Sequence, residues 1–161
     1  MKFGKLIVPC LFVLAMASPA AADTTIKVGL KDVGGTIDLS KDLGFGMGKH
    51  GDMAKAPMSI EVDQSSVAAG KVTFDVSNLA KELQHEMLIS PVSGPEAVLP
   101  FVDAENRVDE ERSGDLGEVS ELDPGKAGSL TLDLKPGLYV LYCNVPGHYA
   151  AGMWTSLTVN P

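Results

Sequence analysis

Little in this 161-residue sequence could form covalent cross-links or carry a basic surface. Only two cysteines occur, and one of them, Cys10, lies in an apolar leader that is expected to be removed. Cys143 then has no partner within the chain, in an exported setting where cysteines usually pair. An intermolecular disulfide or an inert buried thiol would account for a lone cysteine; so would a metal-bound thiolate. Basic residues are also scarce. Without Lys2 and Lys5 of the leader, 11 remain against 21 acidic residues, a formal charge of −10. No basic patch is left to follow a phosphate backbone, which argues against nucleic acid as a partner. An acidic surface favours basic protein partners or cations, through steering that salt weakens. Past the leader no apolar run is long enough to cross a bilayer, so no membrane span is expected in the mature chain. The sequence has neither internal repeats nor heptads.

The leader itself has three recognisable parts. Lys2 and Lys5 precede an almost wholly apolar run over residues 6–16, Ser18 and Pro19 break it, and Ala20, Ala21 and Ala22 form a small-residue cleavage site before Asp23. Residues 1–22 read as a secretory signal peptide, which places the mature protein in a periplasm or otherwise outside the cytoplasm. Cys10 lies within the apolar core after a proline and reads as a passenger rather than a lipid-attachment site. Residues 23–161 are the length of one domain with a single core.

Along that domain, alternation of apolar and polar residues predicts strands over residues 24–30, 58–62, 71–77 and 85–90. Further strands are expected over residues 117–122, 130–134, 138–142 and 154–159. Residues 138–142 are more continuously apolar, as suits a strand buried on both faces. Residues 31–56 lack periodicity and carry glycines at 34, 35, 44, 46, 48 and 51, which predicts a long loop or insertion. Residues 101–112 are acidic without the apolar spacing of a buried helix, and predict a short surface helix or loop. Asp123-Pro124-Gly125 and Lys135-Pro136-Gly137 are turns by their chemistry. Seven or eight short strands with turn signals between them point to an all-β, antiparallel β-sandwich.

The chemistry concentrates in one loop, YCNVPGHYAAGMW at residues 142–154, where Cys143, His148 and Met153 follow one another at steps of five. A soft sulfur, a borderline nitrogen and a weak second sulfur suit copper better than magnesium, calcium or manganese. His85 opens a predicted strand, so it lies at one pole of a sandwich. If that pole also holds the Cys143 loop, His85 supplies the second imidazole of a His₂Cys site with an axial methionine. Zinc would take the sulfur and nitrogens but is a poor match for a thioether. A Cys/His nucleophilic pair lacks a third group to orient the histidine. Met87, two residues beyond His85, reads as core packing, and strand alternation turns Glu86 away from His85.

With its upstream histidine and C-x₄-H-x₄-M in the last loop before the final strand, the sequence resembles the cupredoxin (type 1 blue copper) family. The spacing is similar to rusticyanin-, auracyanin- and sulfocyanin-like members, while plastocyanins and azurins have shorter spacers. The resemblance runs over residues 58–159. It implies a Greek-key β-sandwich and one type 1 copper ion bound by His85, Cys143, His148 and Met153. One position departs from the pattern: many members carry Asn or Ser after the first histidine, tying the two ligand loops together, and here that residue is Glu86.

A second cluster lies nearer the N-terminus. Met47, His50 and Met53 form M-x₂-H-x₂-M, with Met58 just beyond. Thioethers with an imidazole could bind Cu(I); alternatively these are loop-anchoring hydrophobes over one end of the sandwich. The expected function is therefore an exported electron carrier cycling one copper between Cu(I) and Cu(II). It would meet redox partners of cytochrome or oxidase type through a basic docking surface on their side. The alternative is a periplasmic copper-binding or delivery protein in copper homeostasis or oxidase assembly. Enzymatic activity is not expected, because three histidines cannot build the further copper centres of an oxidase or reductase.

Overall fold

The computed structural model describes residues 23–34, 42–47 and 53–161. The expected signal peptide, with Cys10, and His50 of the second cluster lie outside the described residues. Eight strands fall where alternation places them: β1 (Thr24–Asp32), β2 (Met58–Val62), β4 (Gly70–Asn78), β5 (His85–Val92), β8 (Glu118–Leu122), β9 (Ala127–Leu134), β10 (Gly137–Tyr142) and β11 (Trp154–Asn160). Three more, β3 (Ser66–Ala68), β6 (Phe101–Val102) and β7 (Arg107–Val108), are only two or three residues long. That is too short for a period of two to register in sequence.

Two sheets face each other, in the orders β2-β1-β4-β9 and β3-β11-β10-β5-β8. Ile26, Val28 and Leu30 of β1 and Val72, Phe74 and Val76 of β4 all turn inward, as strict alternation requires. They meet Met87 and Ile89 of β5, Leu141 of β10 and Leu157 of β11. A side chain as fully buried as Phe74 contributes about 1.5–3 kcal/mol through removal from water. Most neighbours pair antiparallel, but β1–β4 and β3–β11 pair in parallel. A parallel pair needs a long crossover connection and so leaves no hairpin signature in sequence.

The opposite faces of β5 and β10 are buried as well. Leu88, Val140 and Tyr142 pack under a second apolar cluster with Phe45, Leu99, Val108 and Tyr149. The cover comes from residues 43–47 and from the connection between β5 and β8. This burial on both faces explains the continuous apolar run over residues 138–142. The connection is more regular than a surface helix or loop. β6 and β7 form a hairpin with Asn106 at a positive φ of 52°, and a four-residue helix, α1 (Glu110–Ser113), follows. Asp109 caps α1 by accepting from the Arg112 N–H, and Gly114 ends it in the left-handed conformation.

Register then delivers the loop to its place. Tyr142, at the end of β10, pairs with Leu88 of β5 on one side and Trp154 of β11 on the other. Cys143 therefore leaves the sheet between the start of β5 and the end of the loop.

Candidate metal centre

Three donor atoms converge at that pole. His85 Nδ1 and His148 Nδ1 are 3.1 Å apart, and Cys143 Sγ is 3.4 Å from His148 Nδ1 and 4.0 Å from His85 Nδ1. Atoms bonded to one first-row metal ion at roughly 2.0–2.3 Å are spaced in this way. All three residues are buried, and among the described residues no carboxylate joins them in the cluster. Met153 is fully buried beside them. Its carbonyl accepts the Cys143 N–H at 3.1 Å, and its own N–H donates to the His148 carbonyl at 3.0 Å.

The loop between these residues is closed on itself. His148 N–H donates to the Val145 carbonyl, Ala151 N–H to Gly147 and Gly152 N–H to Tyr149. Gly147 and Gly152 take φ of 87° and 96°, where a β-carbon would be strained. The loop is also tied outward. Tyr149 Oη donates to the Phe45 carbonyl at 3.0 Å, and Trp154 Nε1 donates to the Leu43 carbonyl at 2.6 Å. Asn144 Oδ1 accepts from Val108 N–H at 2.7 Å, while its Nδ2 donates to the Val108 carbonyl and to Glu110 Oε1. The β6–β7 connection thus grips the residue that follows Cys143.

His85 is held differently. It begins β5 at a register shift against β8, and this bulge breaks the expected alternation. His85, Glu86 and Met87 are consequently all buried, and Glu86 N–H is directed at Cys143 Sγ at 3.5 Å. On the far side of the ring, His85 Nε2 is 3.2 Å from Asp32 Oδ2, at the end of β1 in the other sheet.

Burial controls the protonation of the set. Desolvation, followed by the neighbouring His85, pushes His148 down to about 4. Desolvation also lowers His85, against the hydrogen bond and charge of Asp32. Both imidazoles are therefore neutral and able to offer lone pairs at neutral pH. Burial pushes the Cys143 thiol up to about 12, so a cation that takes the sulfur must displace its proton. Glu86 is raised to about 7, mainly by burial and then by Glu121, Glu118 and Glu110.

A family model of copper-binding proteins, the plastocyanin/azurin family, matches residues 46–160. The chain belongs to this family.

Three cupredoxins resemble it at limited identity or over a limited span. Auracyanin-B of Chloroflexus aurantiacus is 45% identical over 47 residues, 29% of this chain and 20% of that protein. The match thus spans only about a fifth of that relative's length. The crystal structure of dithionite-reduced auracyanin from Roseiflexus castenholzii aligns with 88% of this chain and 100% of its own, at TM-score 0.53 and 24% identity. Reduced rusticyanin aligns with 86% and 81%, at TM-score 0.52 and 21% identity. At such identities the structural likeness speaks for the cupredoxin fold. Copper suits the centre on its donor chemistry: a thiol that can ionise, two neutral imidazole nitrogens converging on the same point, and a neighbouring thioether-bearing residue. The centre is arranged as a type 1 copper site.

Of the second cluster, Met47 is half-buried and packs against the Phe45–Tyr149 cluster. Met53 is 41% exposed, with its terminal methyl near Gly152. Sequence reading missed Asp32 and Asn144. Asn144 had a local signal, a polar residue between Cys143 and Val145 in an otherwise buried run; Asp32 had none, being 53 residues from His85.

Proposed function

We propose that this cupredoxin is an exported one-electron carrier that holds a single copper ion through His85, Cys143, His148 and Met153. When bound, copper supplies the Cu(I)/Cu(II) couple. The observation that carries the proposal is the convergence of the three donor atoms on one buried point, at chain positions fixed independently of the ion. Cys143 and Met153 are joined backbone to backbone, His148 is bonded within the same loop, and His85 starts a strand. A donor set held by the fold changes little between oxidation states, which lowers the reorganisation that electron transfer requires.

His148 is the route by which an electron would leave. His148 is 5% exposed as a residue, whereas His85 is completely enclosed. A partner docking over the loop would come within a few bonds of the centre. The acidic excess of the chain supports a basic partner surface and a small, salt-sensitive, transient interface. The signal-like segment at residues 1–22 supports export. The delivery alternative depends on copper binding by Met47, His50 and Met53, and stoichiometry separates the two readings.

Copper-loaded protein should bind one equivalent and show intense thiolate-to-Cu(II) absorption in the visible. The band should bleach with reductant and return with oxidant. Cys143→Ser should abolish it. A colourless protein that takes up only Cu(I) would overturn the carrier reading. A second equivalent lost on replacing Met47 and Met53 would favour delivery.

A further inference from the structure

We propose that Asp32 is the positioning residue of His85: a carboxylate from the opposite sheet that fixes which imidazole nitrogen faces the copper and biases the centre toward Cu(II). The part concerning copper rests on the carrier reading above, whereas the part concerning the imidazole does not.

The geometry is specific. Asp32 is the last residue of β1, and its side chain is 2% exposed. Oδ1 accepts the Gly34 N–H at 2.8 Å, closing a turn in which Gly34 adopts a φ of 72°. Val33 N–H donates to the Pro57 carbonyl at 3.0 Å, so the chain just after Asp32 is anchored as well. Oδ2 is left to face His85 Nε2 at 3.2 Å. An ionised carboxylate can only accept, so Nε2 must carry the hydrogen. Nδ1 is then the lone-pair nitrogen, and it is Nδ1 that lies 3.1 Å from His148 Nδ1 and 4.0 Å from Cys143 Sγ. One contact therefore sets both ring orientation and tautomer.

The charge has a second consequence. A buried carboxylate behind the ring makes the imidazole a stronger donor. It also places one negative charge on the far side of His85, which stabilises the more positive oxidation state of an ion bound at Nδ1. Glu86 acts at a different ligand: its backbone N–H faces Cys143, and its charge raises the Cys143 thiol rather than facing the His85 ring. Among the described residues no other carboxylate contacts the His85 ring.

Two measurements test this. In ¹⁵N NMR of the metal-free and the Cu(I)-loaded wild type, His85 should show a protonated Nε2 and an unprotonated Nδ1. A hydrogen on Nδ1 in the metal-free protein would overturn the proposal, whatever the protein's function. Asp32→Asn keeps the shape and removes the charge. It should retain one copper and the visible band, but the Cu(II)-to-Cu(I) affinity ratio should fall about tenfold, raising the one-electron potential by about 59 mV. An unchanged potential in a copper-retaining Asp32→Asn protein would sink the electrostatic part. If Asp32→Asn does not fold, the wild-type tautomer still decides the positioning role. If the wild type gives no charge-transfer band, the carrier reading fails while the metal-free tautomer remains a test of Asp32.

Discussion

The two halves of the centre are held in different ways. The loop of residues 143–153 carries three of the four candidate ligands, and many hydrogen bonds fix it: its own backbone turns, the Asn144 grip on Val108, and the Tyr149 and Trp154 bonds to residues 43–45. The β5 half carries only His85, and its ring is oriented by one carboxylate from the other sheet. Redundancy on one side and a single partner on the other imply different sensitivities. The loop half should register single changes as lost stability while keeping its donor geometry, whereas the β5 half should convert one substitution into altered chemistry without collapse.

The largest effect expected within the loop half is from Asn144→Ala. It strands a buried N–H and a buried carbonyl of Val108, each worth about 1–3 kcal/mol when unsatisfied. A loss of about 3 kcal/mol in denaturant unfolding of the metal-free protein is expected, together with faster copper release. A loss below about 1 kcal/mol would mean that the grip on the loop is not structural.

Copper affinity should depend on pH almost as steeply. Cys143 is raised to about 12, while His148 is lowered to about 4 and His85 is lowered as well, so across pH 7–9 the thiol proton is the ligand proton that competes with the ion. The metal-free form binds that proton and the copper form does not. Affinity should therefore rise about tenfold per pH unit, near 2.7 kcal/mol over the interval. Competition titrations with a chelator of known pH dependence would measure this. A flat profile would mean that sulfur is not a ligand.

Tyr149→Phe is expected to cost less, about 1 kcal/mol, since it removes one hydrogen bond to the Phe45 carbonyl and keeps the packed ring. Thermal unfolding would register it, and the visible band should stay in place because Leu43 and Trp154 still tie the loop. The smallest effect should come from Thr73→Val on the outer face of β4. Its hydroxyl contact with Thr131 is exposed and lies on the sheet opposite to the loop, so stability should change by no more than about 0.5 kcal/mol. A shift of the copper spectrum in this variant would contradict the local character of the site.

The same asymmetry governed what could be read from sequence. The loop was legible because its donors recur at short spacing around turn residues, and the strands were legible wherever alternation was clean, as at Val72, Phe74 and Val76. The Asp32–His85 contact was not, because it joins strand ends of two sheets and depends on how the sheets stack. Burial of Glu86 was missed for a related reason. A bulge at His85 overrides the period of two, and nothing in H-E-M-L-I-S marks it. The β6–β7 hairpin escaped because its strands are two residues each. At the departure from the usual Asn or Ser, position 86 contributes its backbone N–H toward Cys143, and Asn144 ties the loop to the β6–β7 connection instead.

The central claim is that one copper ion is held by a donor set which the fold fixes in advance. X-ray absorption of the copper-loaded protein in its oxidised and reduced forms tests it most directly. The expected result is one sulfur and two imidazole nitrogens at nearly the same distances in both states, with the thiolate signal absent in Cys143→Ser. Loss of an imidazole on reduction, or a sulfur-only environment that survives Cys143→Ser and points to the methionines, would contradict it.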